Sequence, residues 1–155
     1  MTETFAFNSD SLEKVKFALS KYPDDRKQSA VMSLLDIAQR QNGGWLSKSA
    51  IEHVASQLEM PYIKVYEIVT FYSMYYTTPV GKYFVQVCTT TPCWLKGSDE
   101  VVKACKETIS EKQNELSKDG LFSWMEVECL GACVNAPLVQ INDDFYEDLN
   151  YENTK

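Results

Sequence analysis

Basic charge is scarce relative to acidic charge in this chain: 15 Lys and Arg stand against 22 Asp and Glu, for a net charge of −7. A surface that acidic repels phosphate backbones and argues against nucleic acid as a partner. Histidine is nearly absent. With His53 alone, neither a His-assisted nucleophile nor a Rieske-type pair of histidine ligands has the material it needs. No run approaches the roughly 20 apolar residues of a membrane-spanning helix, so direct membrane insertion is not expected. The chain has six glycines and no Gly-rich loop that would cradle a phosphate, nor a flavin or nicotinamide fingerprint. The amino terminus, MTETFAFNSD, has neither the basic end and apolar run of a signal peptide nor the Arg-rich pattern of a transit peptide.

What is present is ordinary for a globular protein: 155 residues, 45% hydrophobic and 24% charged, enough for one domain or two small ones. A chain of this length can bury about 70% of its unfolded surface. Five cysteines in a protein of a reducing compartment point to metal or redox chemistry rather than a disulfide framework.

The pattern changes near residue 79. Before it, apolar residues recur at helical spacing: Leu12, Val15 and Leu19; Val31, Leu34, Leu35 and Ala38; Ile51, Val54, Ala55 and Leu58. Asn42-Gly43-Gly44 stops the second helix, Ser49 with Glu52 reads as a capping box for the third, and Pro61 suits the first turn of a fourth. That fourth segment, PYIKVYEIVTFYSMYY, is apolar on two faces. Tyr62, Val65, Tyr66, Val69 and Tyr76 share one, while Ile68, Phe71 and Tyr75 share another. It reads either as a helix buried among its neighbours or as a tyrosine-rich docking surface.

After Pro79 the chain alternates. Tyr83, Val85 and Val87 form a strand that runs into Cys88, and Gly97-Ser98-Asp99 opens a helix through Val102, Cys105, Ile109 and Leu116. Asp119-Gly120 turns into a second strand with Met125, Val127 and Cys129 on one face. Leu138 to Ile141 and Phe145 to Tyr146, joined by Asn142-Asp143-Asp144, read as a hairpin. The division expected is a helical segment, residues 1–79, followed by a small α/β domain in residues 80–155.

Cysteine spacing carries the chemistry. Cys88 and Cys93 form C-x4-C, and Cys129 and Cys133 form C-x3-C. Each pair begins where a strand is expected to end, so two neighbouring strands could bring four thiolates to one point. Soft thiolates select zinc or an iron–sulfur cluster over hard cations. Structural zinc usually has loops of two to four residues, a dithiol redox protein prefers C-x-x-C at a helix start, and C-x4-C is among the loops that ligate a [2Fe–2S] cluster. Spacing favours the cluster and leaves zinc and paired disulfides open.

The words around the cysteines narrow this. VQVCTTTPCWLKGSDE and ECLGACVNAPLVQINDDFYEDL resemble the signature of the 24-kDa-type subunit family of respiratory NADH dehydrogenase, complex I, whose bacterial members are the E subunits of NADH:quinone oxidoreductase. LLDIAQRQNGGWLS and MPYIKVYEIVTFYSMY extend the resemblance over nearly the whole chain. It implies an α+β, α/β architecture, an amino-terminal helical bundle followed by a thioredoxin-like [2Fe–2S] ferredoxin domain. It also implies Cys88, Cys93, Cys129 and Cys133 as ligands of one [2Fe–2S] cluster. The family usually has a further helix after the hairpin; with Asn150 to Lys155 the last residues, that helix is expected to be missing or truncated.

The resemblance further implies a one-electron carrier with no catalytic site of its own. FMN and NAD would sit on a partner subunit, with a large iron–sulfur subunit alongside and the cluster off the main route to quinone. Relatives in NAD-linked hydrogenases and formate dehydrogenases share the ligand spacing, so the equivalent diaphorase subunit is the alternative. A zinc-stabilised assembly module is the non-redox one. The expected location is the cytoplasm, at the inner face of a bacterial inner membrane through the complex, or the matrix side for a mature organellar chain.

Other residues read more plainly. Cys105 shares a stripe with Val102 and Ile109 and is expected to be a small buried hydrophobe. His53 is expected on a helix surface beside Val54. Trp94 would either shield the cluster or pack on the following helix. Glu126 and Glu128 alternate away from Cys129 as a solvated face. Asp143, Asp144, Glu147 and Asp148 lack the spacing of a calcium loop and read as a polar hairpin tip.

Overall fold

Helical periodicity in the first half becomes four helices: α1 (Ser9–Leu19), α2 (Val31–Gln41), α3 (Lys48–Gln57) and α4 (Tyr62–Phe71), with a 3-10 segment at Asp24–Ala30. The computed structural model describes residues 4–155, so the part of the amino-terminal reading that falls on residues 1–3 lies outside them. The chain divides into two units, Met1–Pro79 and Val80–Lys155. In the first, the stripes anticipated for α2 and α3 meet in one core, where Leu34, Leu35, Ala38, Ile51, Val54, Leu58 and Val65 are all buried, and α1 adds Val15 while Leu12 of its expected stripe is exposed.

Helix ends depart from the sequence pattern where tertiary contacts intervene. The cap of α3 is Ser47, not Ser49: the extended Ser47 backbone lets its hydroxyl accept from the Ala50 N–H at 3.2 Å. Ser49 lies inside the first turn and only shares a hydroxyl contact with Ser47 at 3.0 Å. Ser47→Ala should therefore cost about 1 kcal/mol in urea unfolding followed by circular dichroism. Ser49→Ala should cost clearly less, and the reverse order would show the cap assigned to the wrong serine.

Pro61 precedes α4 as its N-cap rather than occupying its first turn, and α4 stops at Phe71, short of Tyr76. The stop has a partner. The Gln39 side chain of α2 donates to the Met74 carbonyl and accepts from the Tyr76 N–H, both at 2.9 Å, holding residues 74–76 out of helical geometry. The Tyr75 hydroxyl donates to the Met32 carbonyl at 3.0 Å, and burial, with Asp36 and Tyr72 nearby, pushes its pKa up to about 12. Val65 and Val69 are the buried face of α4, while Ile63, Phe71, Tyr72 and Met74 are exposed.

The second unit is a mixed four-stranded sheet in the order β2-β1-β3-β4, with β1 at Tyr83–Cys88, β2 at Phe122–Val127, β3 at Val139–Ile141 and β4 at Asp144–Tyr146. β1 pairs parallel with β2 and antiparallel with β3; β3 and β4 form the hairpin, turned by Asn142 at φ 53°. Between β1 and β2 run α5 (Thr91–Leu95) and α6 (Ser98–Thr108), and α7 (Tyr151–Thr154) ends the chain as one turn capped by Asn150. Before β1, a Cβ on Gly81 would meet the Phe122 and Ser123 backbone at under 3.0 Å, so only glycine lets the chain approach β2 there.

Helix α6 ends at Thr108, leaving Leu116 outside it and exposed. Residues 110–117 are instead laid along β2: the Asn114 N–H donates to the Trp124 carbonyl at 2.9 Å and the Ser117 N–H to the Phe122 carbonyl at 2.8 Å. Parity on β2 also differs from the pattern. The residue that packs with Val85, Val87, Val101, Cys105 and Val139 is Trp124, whereas Met125 and Val127 are only half-buried and Cys129 lies beyond the strand.

Candidate metal centre

Parallel pairing sends the carboxyl ends of β1 and β2 to one edge of the sheet, with Cys88 directly opposite Val127. Cys88 is the last residue of β1. The chain then turns through Thr89 and Thr90 into α5, which carries Cys93 in its first turn. Pro92 suits that turn because its missing N–H would find no helical partner there. On the other side, Cys129 follows β2 by two residues, Gly131 adopts φ 86°, and Cys133 opens a 3-10 turn at Cys133–Asn135.

The four thiols form two pairs in different surroundings. Cys88 and Cys93 are buried with Ala136 and Leu138, against the half-buried Leu130 and Ala132. Cys129 and Cys133 are exposed, with their sulfurs 3.7 Å apart. Two sulfurs on one tetrahedral metal, each bonded at about 2.3 Å, stand roughly 3.7 Å apart. Among the described residues no group of three or more His, Cys, Asp or Glu stands close enough together to hold a metal ion. Two thiol pairs on neighbouring loops match the all-sulfur donor set of a two-metal cluster.

Electrostatics ties the loops to each other. Burial raises the Cys88 thiol, yet it lies below its ordinary value because the Thr90 hydroxyl, the Leu130 and Thr90 N–H groups and the Cys93 thiol hydrogen-bond to it. Cys93 is pushed up to about 11 by burial and by its hydrogen bond with Cys88, against a Leu138 N–H that lowers it; Cys88 and Cys133 add repulsion. Cys133 is raised first by its hydrogen bond with Cys129, then by burial and by charge on Cys129 and Cys88.

The sequence pattern of the thioredoxin-like [2Fe-2S] ferredoxin family matches residues 15–155. The chain belongs to this family. The E subunit of NADH-quinone oxidoreductase from Rickettsia typhi is 60% identical over 147 residues, 95% of this chain and 86% of its own length. Its counterpart from Rickettsia prowazekii is 58% identical over 147 residues, 95% of this chain and 83% of its own. NADH dehydrogenase [ubiquinone] flavoprotein 2, mitochondrial, of Dictyostelium discoideum is 51% identical over 150 residues, 97% of this chain and 61% of its own.

Among solved structures, the NAD+-reducing [NiFe]-hydrogenase in its air-oxidised state matches with a TM-score of 0.62 and 19% identity, over 78% of this chain and 21% of the hydrogenase chain. At that identity the likeness shows the fold alone: thioredoxin-like, with helices and a mixed four-stranded sheet. Family membership gives the chain its cofactor, a [2Fe–2S] cluster, and the relatives are named as subunits of an oxidoreductase.

Within this thioredoxin-like ferredoxin the remaining residues separate clearly. Cys105 is buried in the core of the second unit, away from the four thiols, and burial pushes it up to about 11. Trp94 neither covers the thiols as a buried shield nor packs away; it is 58% exposed. Glu126 accepts from the Gln113 side chain at 2.7 Å, and Glu128 is exposed. His53 is not a free surface residue: its ring meets the edges of Phe5 and Phe7, with centroids 5.6 and 5.1 Å away, and burial lowers its pKa. Asp144 lies at the hairpin, while Asp148 accepts from the Asn135 side chain at 3.0 Å. Sequence reasoning missed Thr90, treating it as a spacer. Its place before Thr91-Pro92, a helix-start pattern, was the available signal.

Proposed function

We propose that the chain is the one-electron carrier subunit of an NADH:quinone oxidoreductase, its [2Fe–2S] cluster held by Cys88, Cys93, Cys129 and Cys133. The observation that supports this is the placement of two thiol pairs after two parallel neighbouring strands, one pair buried and the other exposed. When bound, such a cluster supplies a one-electron site whose potential is set by charge, hydrogen bonds and solvent exposure. Cys88 and Cys93 anchor it in an apolar floor that excludes water. Cys129 and Cys133, both exposed, would hold it from the solvent side, within reach of a partner.

The partner is the subunit carrying FMN and the NADH site, with a large iron–sulfur subunit alongside. The helical bundle of residues 1–79 is the docking element, and the exposed Ile63, Phe71, Tyr72 and Met74 belong to its contact. Among the described residues no helix is long and apolar enough to cross a membrane. The protein sits at the inner face of the bacterial inner membrane through its complex. Identity of 58–60% with the Rickettsia proteins favours this reading over the diaphorase subunit of a hydrogenase, whose likeness is 19% identical.

Electron paramagnetic resonance of the anaerobically purified chain tests the proposal. A spin-half signal that appears only on dithionite reduction, with two irons and two sulfides per chain, is expected. A silent sample containing stoichiometric zinc would replace the carrier with a structural module.

A further inference from the structure

Thr90 stands at the N-cap of α5 in extended geometry, φ −72° and ψ 168°, yet its side chain makes no capping hydrogen bond. A threonine in this place ordinarily accepts from the N–H of the second or third helical residue. Here the second is Pro92, which has no N–H to give. The hydroxyl turns instead to the Cys88 sulfur, at 3.4 Å. Between a hydroxyl and a free thiol either atom could donate. A metal-bound cysteine is a thiolate and has no proton, so there the direction is settled: Thr90 Oγ1–H donates to Cys88 Sγ.

We propose that Thr90 is a positioning residue that sets the reduction potential of the cluster, by donating its hydroxyl hydrogen to the Cys88 thiolate. The inference rests on Cys88 being a ligand, as proposed above. Its physics is charge compensation. Adding one electron makes the cluster and its thiolates more negative, and a hydrogen bond to sulfur strengthens with that charge. The reduced form therefore gains more than the oxidised form, and the potential rises. The low-dielectric surroundings of the buried Cys88 favour a sizeable effect, because little water competes for the sulfur. The Thr90 hydroxyl is the side-chain group that geometry places in hydrogen-bond reach of Cys88 Sγ, so it is the control open to substitution.

Redox titration of the cluster-loaded full chain, followed by the reduced spin-half signal, tests this with Thr90→Val and Thr90→Ser. Valine keeps the shape and removes the hydroxyl; serine keeps the hydroxyl and removes the methyl. Thr90→Val should retain two irons per chain while the reduced-to-oxidised ratio at a fixed poise falls about tenfold, a shift of ~59 mV for one electron. Thr90→Ser should stay within about twofold of the unmodified chain. The exchangeable-proton coupling of the reduced signal, compared in H2O and D2O, should lose a component in Thr90→Val and keep it in Thr90→Ser.

A Thr90→Val potential within twofold of the unmodified chain overturns the proposal. So do equal shifts in valine and serine, which would assign the effect to packing. Should Thr90→Val fail to load iron, Thr90→Ala against Thr90→Ser makes the same comparison. The underlying ligand reading fails separately: it is lost if Cys88→Ser leaves the spectrum and potential unchanged, whatever Thr90 does.

Discussion

Cys93→Ala is expected to abolish the visible absorption of the purified chain and most of its iron, while the helical circular dichroism of residues 1–79 remains. Cys93 is fully buried against Cys88, Ala136 and Leu138. Outer-shell changes alone cost metal sites about 10–100-fold in affinity, so the loss of Cys93 as the proposed ligand should cost more. The buried position also admits no water to stand in for the missing sulfur. Cys105→Ala is the matched control, since that thiol lies among Val101, Val102 and Trp124 and should leave the spectrum intact. An unchanged visible spectrum in Cys93→Ala would remove Cys93 from the ligand set.

Trp124→Ala carries the largest expected loss of stability. Trp124 is the largest fully buried side chain, on the strand whose far end leads to Cys129, and its Nε1–H donates to the Ser110 carbonyl at 2.9 Å. Truncation leaves a cavity against Val85, Val87 and Val101 and orphans that carbonyl, at a cost of about 3–5 kcal/mol. With a urea slope of about 1–3 kcal/mol per molar, the midpoint for loss of visible absorption should fall by roughly 2 M. Trp124→Phe keeps most of the volume and loses only the donor, so its midpoint should lie between the two. If Trp124→Ala melts with the unmodified chain, β2 does not set the stability of the unit that holds the thiols.

Much of this was legible in local pattern. The stripe Val31, Leu34, Leu35 and Ala38 could be buried on one side only as a helix, and β1 and the hairpin follow from two-residue alternation and Asn142-Asp143. Local pattern failed where a distant residue competed for the backbone. Gln39 ends α4 by taking the Met74 and Tyr76 groups; Trp124 and Phe122 end α6 by taking the N–H groups of Asn114 and Ser117. Ser47 and Ser49 are equivalent as cap candidates until the backbone direction is known. On β2 the alternation offered two faces, and burial of Trp124 chose the one that Met125 and Val127 do not share.

By itself the sequence determined the family and the two cysteine blocks. These are properties of residue identity and short spacing, and no packing alters them. Only the tertiary structure decided that the two blocks follow neighbouring strands to one edge of the sheet, because β1 and β2 pair in parallel. It alone decided that Cys88 and Cys93 lie inside while Cys129 and Cys133 face solvent, an asymmetry that spacing cannot encode. The Thr90 hydroxyl turns to Cys88 for the same reason: a side chain chooses between helix cap and sulfur only once both are in place around it.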